Sequence, residues 1–311
     1  MEKHTKIICP LCKSRDVKLL TSVRDVEYFT SDLFYNYFNC KFCKSIFLNK
    51  PPVNQLHRIY PSAYYSFESN DRSFFHQFLE YSKSYLDKLN FKKSLRKIDA
   101  KKIYTLDIGG GTGYMSNVLK DSDRRVFETT ILDIDSKAKS TANKNGHKFL
   151  TSTIENLNIK NKFNYVLMLN LIEHVYDPLK VLKIVKKSMK RSGLLLIKTP
   201  NTLSLNRKIF SKVYWGGYHA PRHWIIFNKQ SFSNLAKKSG FIVEDFSYTQ
   251  GAPQWAASIL GTVNIIFSIK SKKPMHLRFS FILLLFFFAV FDFATSFLIK
   301  TDQMYFLLRK K

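Results

Sequence analysis

Leu106-Asp107-Ile108-Gly109-Gly110-Gly111-Thr112-Gly113 is the stretch on which the fold reading turns. It sets a carboxylate and three alternate glycines where an apolar strand pattern, Ile103 to Ile108, gives way to Tyr114 to Lys120, whose apolar residues recur at helical steps. Glycine in a strand-to-helix turn lets backbone N–H groups approach a ligand closely and permits positive φ without a Cβ clash. The spacing is Asp-x-Gly-x-Gly-x-Gly. Tyr114 stands where the Gly-x-Gly-x-x-Gly fingerprint needs its third glycine, and no Gly-Lys-Ser/Thr follows, so a dinucleotide turn of that type and a phosphate loop are both set aside. The turn reads as a nucleotide-type ligand site.

Working outward, residues 101–311 alternate strand and helix patterns in the way that builds an α/β fold, a doubly wound, mostly parallel seven-stranded sheet. Strands are predicted at Ile103–Ile108, Val126–Asp133, Lys148–Leu150, Tyr165–Asn170, Leu194–Thr199, Phe241–Tyr248 and Met304–Arg309. Asp177 is placed to cap a helix with Pro178 at its first position and Gly193 beyond its end, and Asn228 to cap one that stops at Gly240. Upstream, residues 1–60 read as a small cysteine module with short strands. Residues 61–100 read as an aromatic loop, Tyr60-Pro61-Ser62-Ala63-Tyr64-Tyr65, and a helical connector with a stripe at Phe74, Phe78, Tyr81, Tyr85 and Leu89.

All four cysteines fall into two Cys-x2-Cys pairs, Cys9/Cys12 and Cys40/Cys43. Two such pairs can close a tetrahedral, structural Zn²⁺ site, as in zinc-ribbon modules. Two disulfides are the alternative, but the polar start of the chain carries no secretory signal, and a reducing, cytoplasmic setting is expected. The formal charge of +27 fits an anionic partner, be it nucleic acid, a membrane surface or a phosphorylated substrate. A Lys-, Asn- and Ile-rich compositional bias accounts for it equally well.

In a doubly wound sheet the ligand lies outside the carboxyl ends of the strands. Asp107 and the glycine turn, Asp133, Thr153 with Ile154, and Asn170 all fall there. An acidic residue closing the second strand suits two ribose hydroxyls, because one carboxylate can accept both hydrogen bonds.

With these residues in view, the chain from 101 to 311 resembles the class I S-adenosylmethionine-dependent methyltransferases. Residues 106–113 look like their first motif, Leu169-Asn170-Leu171-Ile172-Glu173-His174-Val175-Tyr176-Asp177-Pro178 like the segment after strand four, and Ser192 to Asn201 like the turn and strand that follow. The resemblance implies that Gly109, Gly111 and Gly113 pass beneath the methionine end of the cofactor. Asp107 would hold the turn or the amino group, Asp133 the ribose, and the backbone at Thr153 and Ile154 the adenine, with Asn170 completing the cofactor site. The cysteine pairs, Pro51-Pro52, Tyr60-Pro61 and the segment His219-Ala220-Pro221-Arg222-His223-Trp224 are similar to a bacterial subgroup associated with surface polysaccharides.

Methyl transfer to a hydroxyl requires a base, and His174, His219 and His223 are the candidates. Arg222, Tyr64 and Trp215 are expected at the acceptor. The acceptor implied is a small molecule or glycan: a glycan, a sugar nucleotide or a lipid-linked intermediate of the cell envelope. A quinone or lipid O-methyltransferase is the second enzyme reading. A zinc-ribbon nucleic-acid-binding protein on a vestigial fold is a reading of another class, disfavoured because the basic residues are spread along the chain.

Residues 255–300 form an apolar insertion before the last strand. Phe281 to Ile299 is long enough to consider as a membrane span. The final strand must nevertheless rejoin the sheet, and Ile259 to Ile269 is too short to carry the chain back. The expectation is therefore attachment to one face of a membrane, with Lys270, Lys272, Lys273, Arg278 and Lys300 meeting anionic headgroups. A greasy helical pair that caps the cleft or forms a dimer interface is the alternative.

Overall fold

The computed structural model describes residues 7–61, 87–271, 273–295 and 298–311. Three short strands come first, β1 (Val17–Val23), β2 (Tyr35–Cys40) and β3 (Ile46–Leu48). Then follow β4 (Ile103–Ile108), α1 (Tyr114–Lys120), β5 (Val126–Asp133), α2 (Ala138–Lys144), β6 (Lys148–Thr151), β7 (Phe163–Leu169), α3 (Pro178–Ser188) and β8 (Met189–Pro200). The chain ends with α4 (Leu205–Phe210), β9 (Ile225–Ile226), α5 (Lys229–Lys238), β10 (Phe241–Thr249), α6 (Ala252–Ile266), α7 (Phe279–Thr295) and β11 (Gln303–Lys310).

Seven strands form one sheet in the order β10-β11-β8-β7-β4-β5-β6. Strands β4 to β8 pair in parallel, and β11 runs antiparallel to both β8 and β10. The order reverses at β4, which has β5 on one side and β7 on the other. The central strands are apolar on both faces, as strands covered on both sides must be. In β7, Tyr165 and Leu167 join the cluster formed with Phe91, Leu95 and Ile98. Val166 and Met168 join the opposite cluster with Val181, Leu182 and Val185 of α3. The same alternation divides Leu194 and Leu196 from Leu195 and Ile197 in β8. Each such buried side chain contributes about 1.5–3 kcal/mol, so the sheet is a rigid platform.

The predicted caps hold. Asp177 accepts a hydrogen bond from the Lys180 N–H at 3.0 Å, and Asn228 forms a reciprocal box with Ser231 before the chain turns at Gly240, φ +82°. Gly193 does not follow the end of α3. The helix stops at Ser188 because Met189 turns extended and pairs with Phe163, and Gly193 lies within β8. In the connector, residues 87–95 are helical, but the buried set is Phe91, Leu95 and Ile98, while Leu89 is exposed. Phe74, Phe78, Tyr81 and Tyr85 lie outside the described residues.

The cysteine module is joined to the large sheet's half of the chain. Its strands form a second sheet, β1-β2-β3-β9, whose last strand comes from beyond β8. Ile46 pairs with Ile226 and Phe47 with Ile225, and one hydrophobic cluster runs from Cys9 and Tyr37 through to Phe306.

The glycine turn carries a tight backbone constraint. Gly113 sits at φ +86°, and a Cβ there would collide with His147 Cδ2 and lie 2.7 Å from Ile131 Cδ1. Gly113→Ala is expected to lower stability by about 1–3 kcal/mol, as other forced left-handed backbone positions do. A fall in the urea midpoint checks it.

Candidate active site

The carboxyl ends of the parallel strands converge on the glycine turn. Gly109, Gly111 and Gly113 have φ of 76°, 51° and 86°, so the alternate spacing read in the sequence is one of alternate left-handed residues. Asp107 lies buried beneath the turn and accepts from Ser116 Oγ at 2.9 Å. A Cβ on Gly110 would come within 2.6 Å of its carboxyl group. Burial pushes the Asp107 pKa up to about 6 against the bond from Ser116, with the nearby Asp133 charge adding to the rise.

Asp133 closes β5 and accepts from the Gly111 N–H and the Asp135 N–H, both at 2.9 Å, which ties the glycine turn to the second strand. Thr153 is exposed, and Ile154 is buried in the turn after β6. Asn170 follows β7 in the left-handed region, φ 51°, and its buried Oδ1 has no hydrogen-bond partner among the described residues. Such a conformation outside glycine is uncommon, and an orphaned buried acceptor beside it marks a position shaped for something other than packing. The cofactor candidates named from sequence therefore stand around one strand end, and their donors and acceptors fit a nucleoside with an amino-acid tail.

Beside them the structure gathers the three histidines. Ring centroids lie 4.6 Å apart for His174 and His223, 5.0 Å for His219 and His223, and 6.2 Å for His174 and His219. His174 comes from the turn after β7, four residues beyond Asn170, and shares a 2.8 Å hydrogen bond with the Tyr60 hydroxyl. His223 Nδ1 donates to the Gly217 carbonyl at 2.8 Å, and His219 Nδ1 meets Glu27 Oε2 at 2.7 Å. Burial, reinforced by the neighbouring imidazoles, holds His174 down to about 3 and His223 well below the ordinary histidine value, so both are neutral at physiological pH.

Two carboxylates complete the group. Glu27 also accepts from the Tyr214 hydroxyl at 2.6 Å. Glu173 is fully buried. Its Oε2 accepts from Thr199 Oγ1 at 3.0 Å, while its Oε1 has no hydrogen bond among the described residues and lies 3.8 Å from His223 Nε2. Burial pushes the Glu173 pKa up to about 8. Glu27 and Tyr60 were not among the residues singled out from sequence. Tyr60 was visible in an aromatic run and in the Tyr60-Pro61 pair but was given no role, and nothing in the sequence links Glu27 to a histidine 192 positions away.

The residues expected at the acceptor are placed otherwise. Arg222 is fully buried and donates to the Ile59 and Ala220 carbonyls and to Asp25 Oδ2, with its guanidinium over the Tyr28 ring. Trp215 is likewise buried, its Nε1 donating to Asp302 Oδ1 at 3.0 Å. Both brace the histidine loop from behind. Tyr64 lies outside the described residues.

The four cysteine sulfurs lie within 4.8 Å of one another, with Cys9 and Cys43 at 3.7 Å and Cys12 and Cys40 at 3.5 Å. None of these pairs is disulfide-bonded. A tetrahedron with zinc–sulfur bonds of about 2.3 Å has edges of about 3.8 Å, so the quartet fits a zinc ion.

A family model described as a methyltransferase domain matches residues 78–245, more than half of the chain. No curated protein matches it. Among solved structures, coclaurine N-methyltransferase is 11% identical with a TM-score of 0.50, the match covering 84% of this chain and 82% of that one. A SAM-dependent methyltransferase from Thermotoga maritima is 18% identical with a TM-score of 0.45, covering 76% and 98%. One from Methanosarcina mazei is 14% identical with a TM-score of 0.45, covering 70% and 96%. At such identity the likeness to coclaurine N-methyltransferase speaks for the fold alone. With the family match, the strand order and the glycine turn in agreement, the chain belongs to the class I S-adenosylmethionine-dependent methyltransferases.

Proposed function

We propose that this methyltransferase acts on a hydroxyl-rich acceptor, a glycan, sugar nucleotide or lipid-linked intermediate of cell-envelope biosynthesis, at the cytoplasmic face of the membrane, with His219 as the base. The observation that carries the reading is the Glu27–His219 pair at 2.7 Å beside the buried His223 and the half-buried His174. S-adenosylmethionine, when bound, supplies a methyl carbon on a sulfonium. Gly109, Gly111 and Gly113, with Asp107 beneath them, would hold it at the methionine end, Asp133 at the ribose, Thr153 and Ile154 at the adenine, and Asn170 beside the amino-acid tail.

His219 would take the proton from the acceptor hydroxyl, and Glu27 would stabilise the imidazolium that results. His174 and His223 stay neutral and so act as hydrogen-bond partners for neighbouring hydroxyls without repelling the imidazolium as cations would. Several neutral donors and acceptors held largely out of water suit a polyhydroxylated ring better than a charged headgroup. The cysteine quartet holds a structural Zn²⁺ in this reading. Its module also supplies Glu27, so the metal supports the base.

Hydrogen bonds to a charged group contribute about 1.5–3 kcal/mol each, so Asp133→Ala is expected to weaken S-adenosylmethionine binding by about 10- to 100-fold in calorimetry. General-base catalysis contributes about 10²- to 10⁴-fold, and His219→Ala is expected to lose that much turnover on envelope-derived acceptors while binding the donor unchanged. Full turnover in that variant removes His219 from the role. Chelation of the cysteine-bound metal is expected to release stoichiometric zinc by atomic absorption, with loss of turnover. Absence of zinc from the purified protein ends the metal assignment.

A further inference from the structure

The hairpin of α6 and α7 has two faces with opposite partners. On the inner face, Asp292 accepts from the Gly251 N–H at 2.6 Å and from Trp255 Nε1 at 3.1 Å, and Phe288 stacks on Trp255 at 4.8 Å. On the outer face, Phe279, Leu283, Phe287 and Val290 follow one another at steps of four, four and three, a single helical stripe. Phe279 is 73% exposed and Phe287 60% exposed, and Ile266 and Phe267 extend the patch across the end of α6. A contiguous apolar face of this kind marks an interaction site.

Charge identifies the partner. Between Phe246 and Thr301 the only acid is the buried Asp292, whereas Lys270, Lys272, Lys273, Arg278 and Lys300 are basic. Lys273 and Lys300 are exposed at opposite ends of α7, and Lys270 is paired with Asp32. Apolar stripe and basic fringe together match an anionic bilayer surface. A second copy would bring two like-charged fringes together.

The chain does not pass through the bilayer here. Among the described residues no helix is long and apolar enough to cross a membrane. The hairpin is bracketed by β10 and β11, paired side by side in one sheet, so it leaves and re-enters the protein on one side. Its base is fused to the histidine pocket. The Met275 N–H donates to the Glu27 carbonyl at 2.8 Å, Asn264 Nδ2 to the Val26 carbonyl at 3.2 Å, and the Gly216 N–H to Ser258 Oγ at 2.8 Å.

We infer that the α6–α7 hairpin docks on an anionic bilayer and sets the His219 loop at its surface, so that the acceptor is the lipid-linked member of the classes above. The docking stands independently of the proposed chemistry, while the acceptor assignment rests on it.

The test is flotation of the full chain with vesicles of phosphatidylcholine containing phosphatidylglycerol, against phosphatidylcholine alone, for the wild type, Leu283→Asp/Phe287→Asp and Lys273→Glu. The wild type is expected to float with the anionic vesicles only. The double variant should lose about tenfold or more of that binding, Lys273→Glu should lose part of it, and both should keep calorimetric binding of S-adenosylmethionine. No flotation of the wild type overturns the docking, as does equal flotation of the double variant or a wild-type dimer that the double variant dissolves. Failure of the wild type to bind S-adenosylmethionine would sink the donor reading and leave docking to be judged by flotation. Incubated with native membranes and labelled donor, the wild type should place label in the chloroform–methanol extract, and the double variant should not. Label confined to water-soluble acceptors overturns the lipid-linked assignment.

Discussion

The Asp25–Arg222 ion pair is the contact on which the arrangement of the site depends. Both side chains are fully removed from solvent, and they are joined at 2.8 Å across 197 residues. Two buried charges recover their lost hydration only if nearly every donor and acceptor is used. That condition is met. Asp25 also accepts from the N–H groups of Glu27, Tyr28 and Thr30 and from the Thr30 hydroxyl, while Arg222 spans the Ile59 and Ala220 carbonyls. Burial alone would raise the Asp25 carboxyl, but the Arg222 guanidinium and these bonds hold it below the ordinary aspartate value. The bonds that satisfy Asp25 also fix the backbone at Glu27, two residues on, and so aim Glu27 at His219. Cysteine module, histidine loop and sheet thereby form one unit.

That unit keeps several ionisable groups out of water. Asp107 is raised to about 6, Asp302 to about 7 and Glu173 to about 8, each first of all by burial. In all three the folded state binds the proton more tightly than the unfolded chain does, so their contribution to stability is fully present at low pH and is lost as pH rises through these values. Each lies at the carboxyl end of the sheet or just behind the histidine loop. Packing would not select so many buried acids in one quarter of the molecule, whereas a dry site that strengthens the interactions of a few oriented groups would.

The sheet was legible in the sequence because local signals were strong and agreed with one another. Strands with apolar residues on both faces, the glycine turn, the Asp177 and Asn228 caps and the order of elements all follow from periodicity and turn chemistry over fewer than twenty residues. For the same reason Asp107, the glycines, Asp133 and Asn170 were readable as residues at the carboxyl ends of three neighbouring strands, β7, β4 and β5. The acceptor side was legible only in part. The three histidines stood out as residue types, but their carboxylate partners did not, because Glu27 reaches His219 through tertiary packing. Arg222 and Trp215 illustrate the converse. Both residue types are common at ligand sites, and only burial against Asp25 and Asp302 reveals that they brace the loop.

The two additions to the sheet, the cysteine module and the α6–α7 hairpin, meet each other as well as the sheet. Val26 and Glu27 of the first receive hydrogen bonds from Asn264 and Met275 of the second. Asp292 already ties α7 to Gly251 and Trp255 at the start of α6, so the hairpin holds itself together without this junction. The extra bonds join it to the backbone that carries Glu27. Donor recognition belongs, in the proposed reading, to the strand ends. Acceptor recognition belongs, in the proposed reading, to the junction of the two additions, where the base, its carboxylate and the docking surface share a few residues. A change of acceptor could then arise by remodelling that junction while the sheet and its glycine turn stayed as they are.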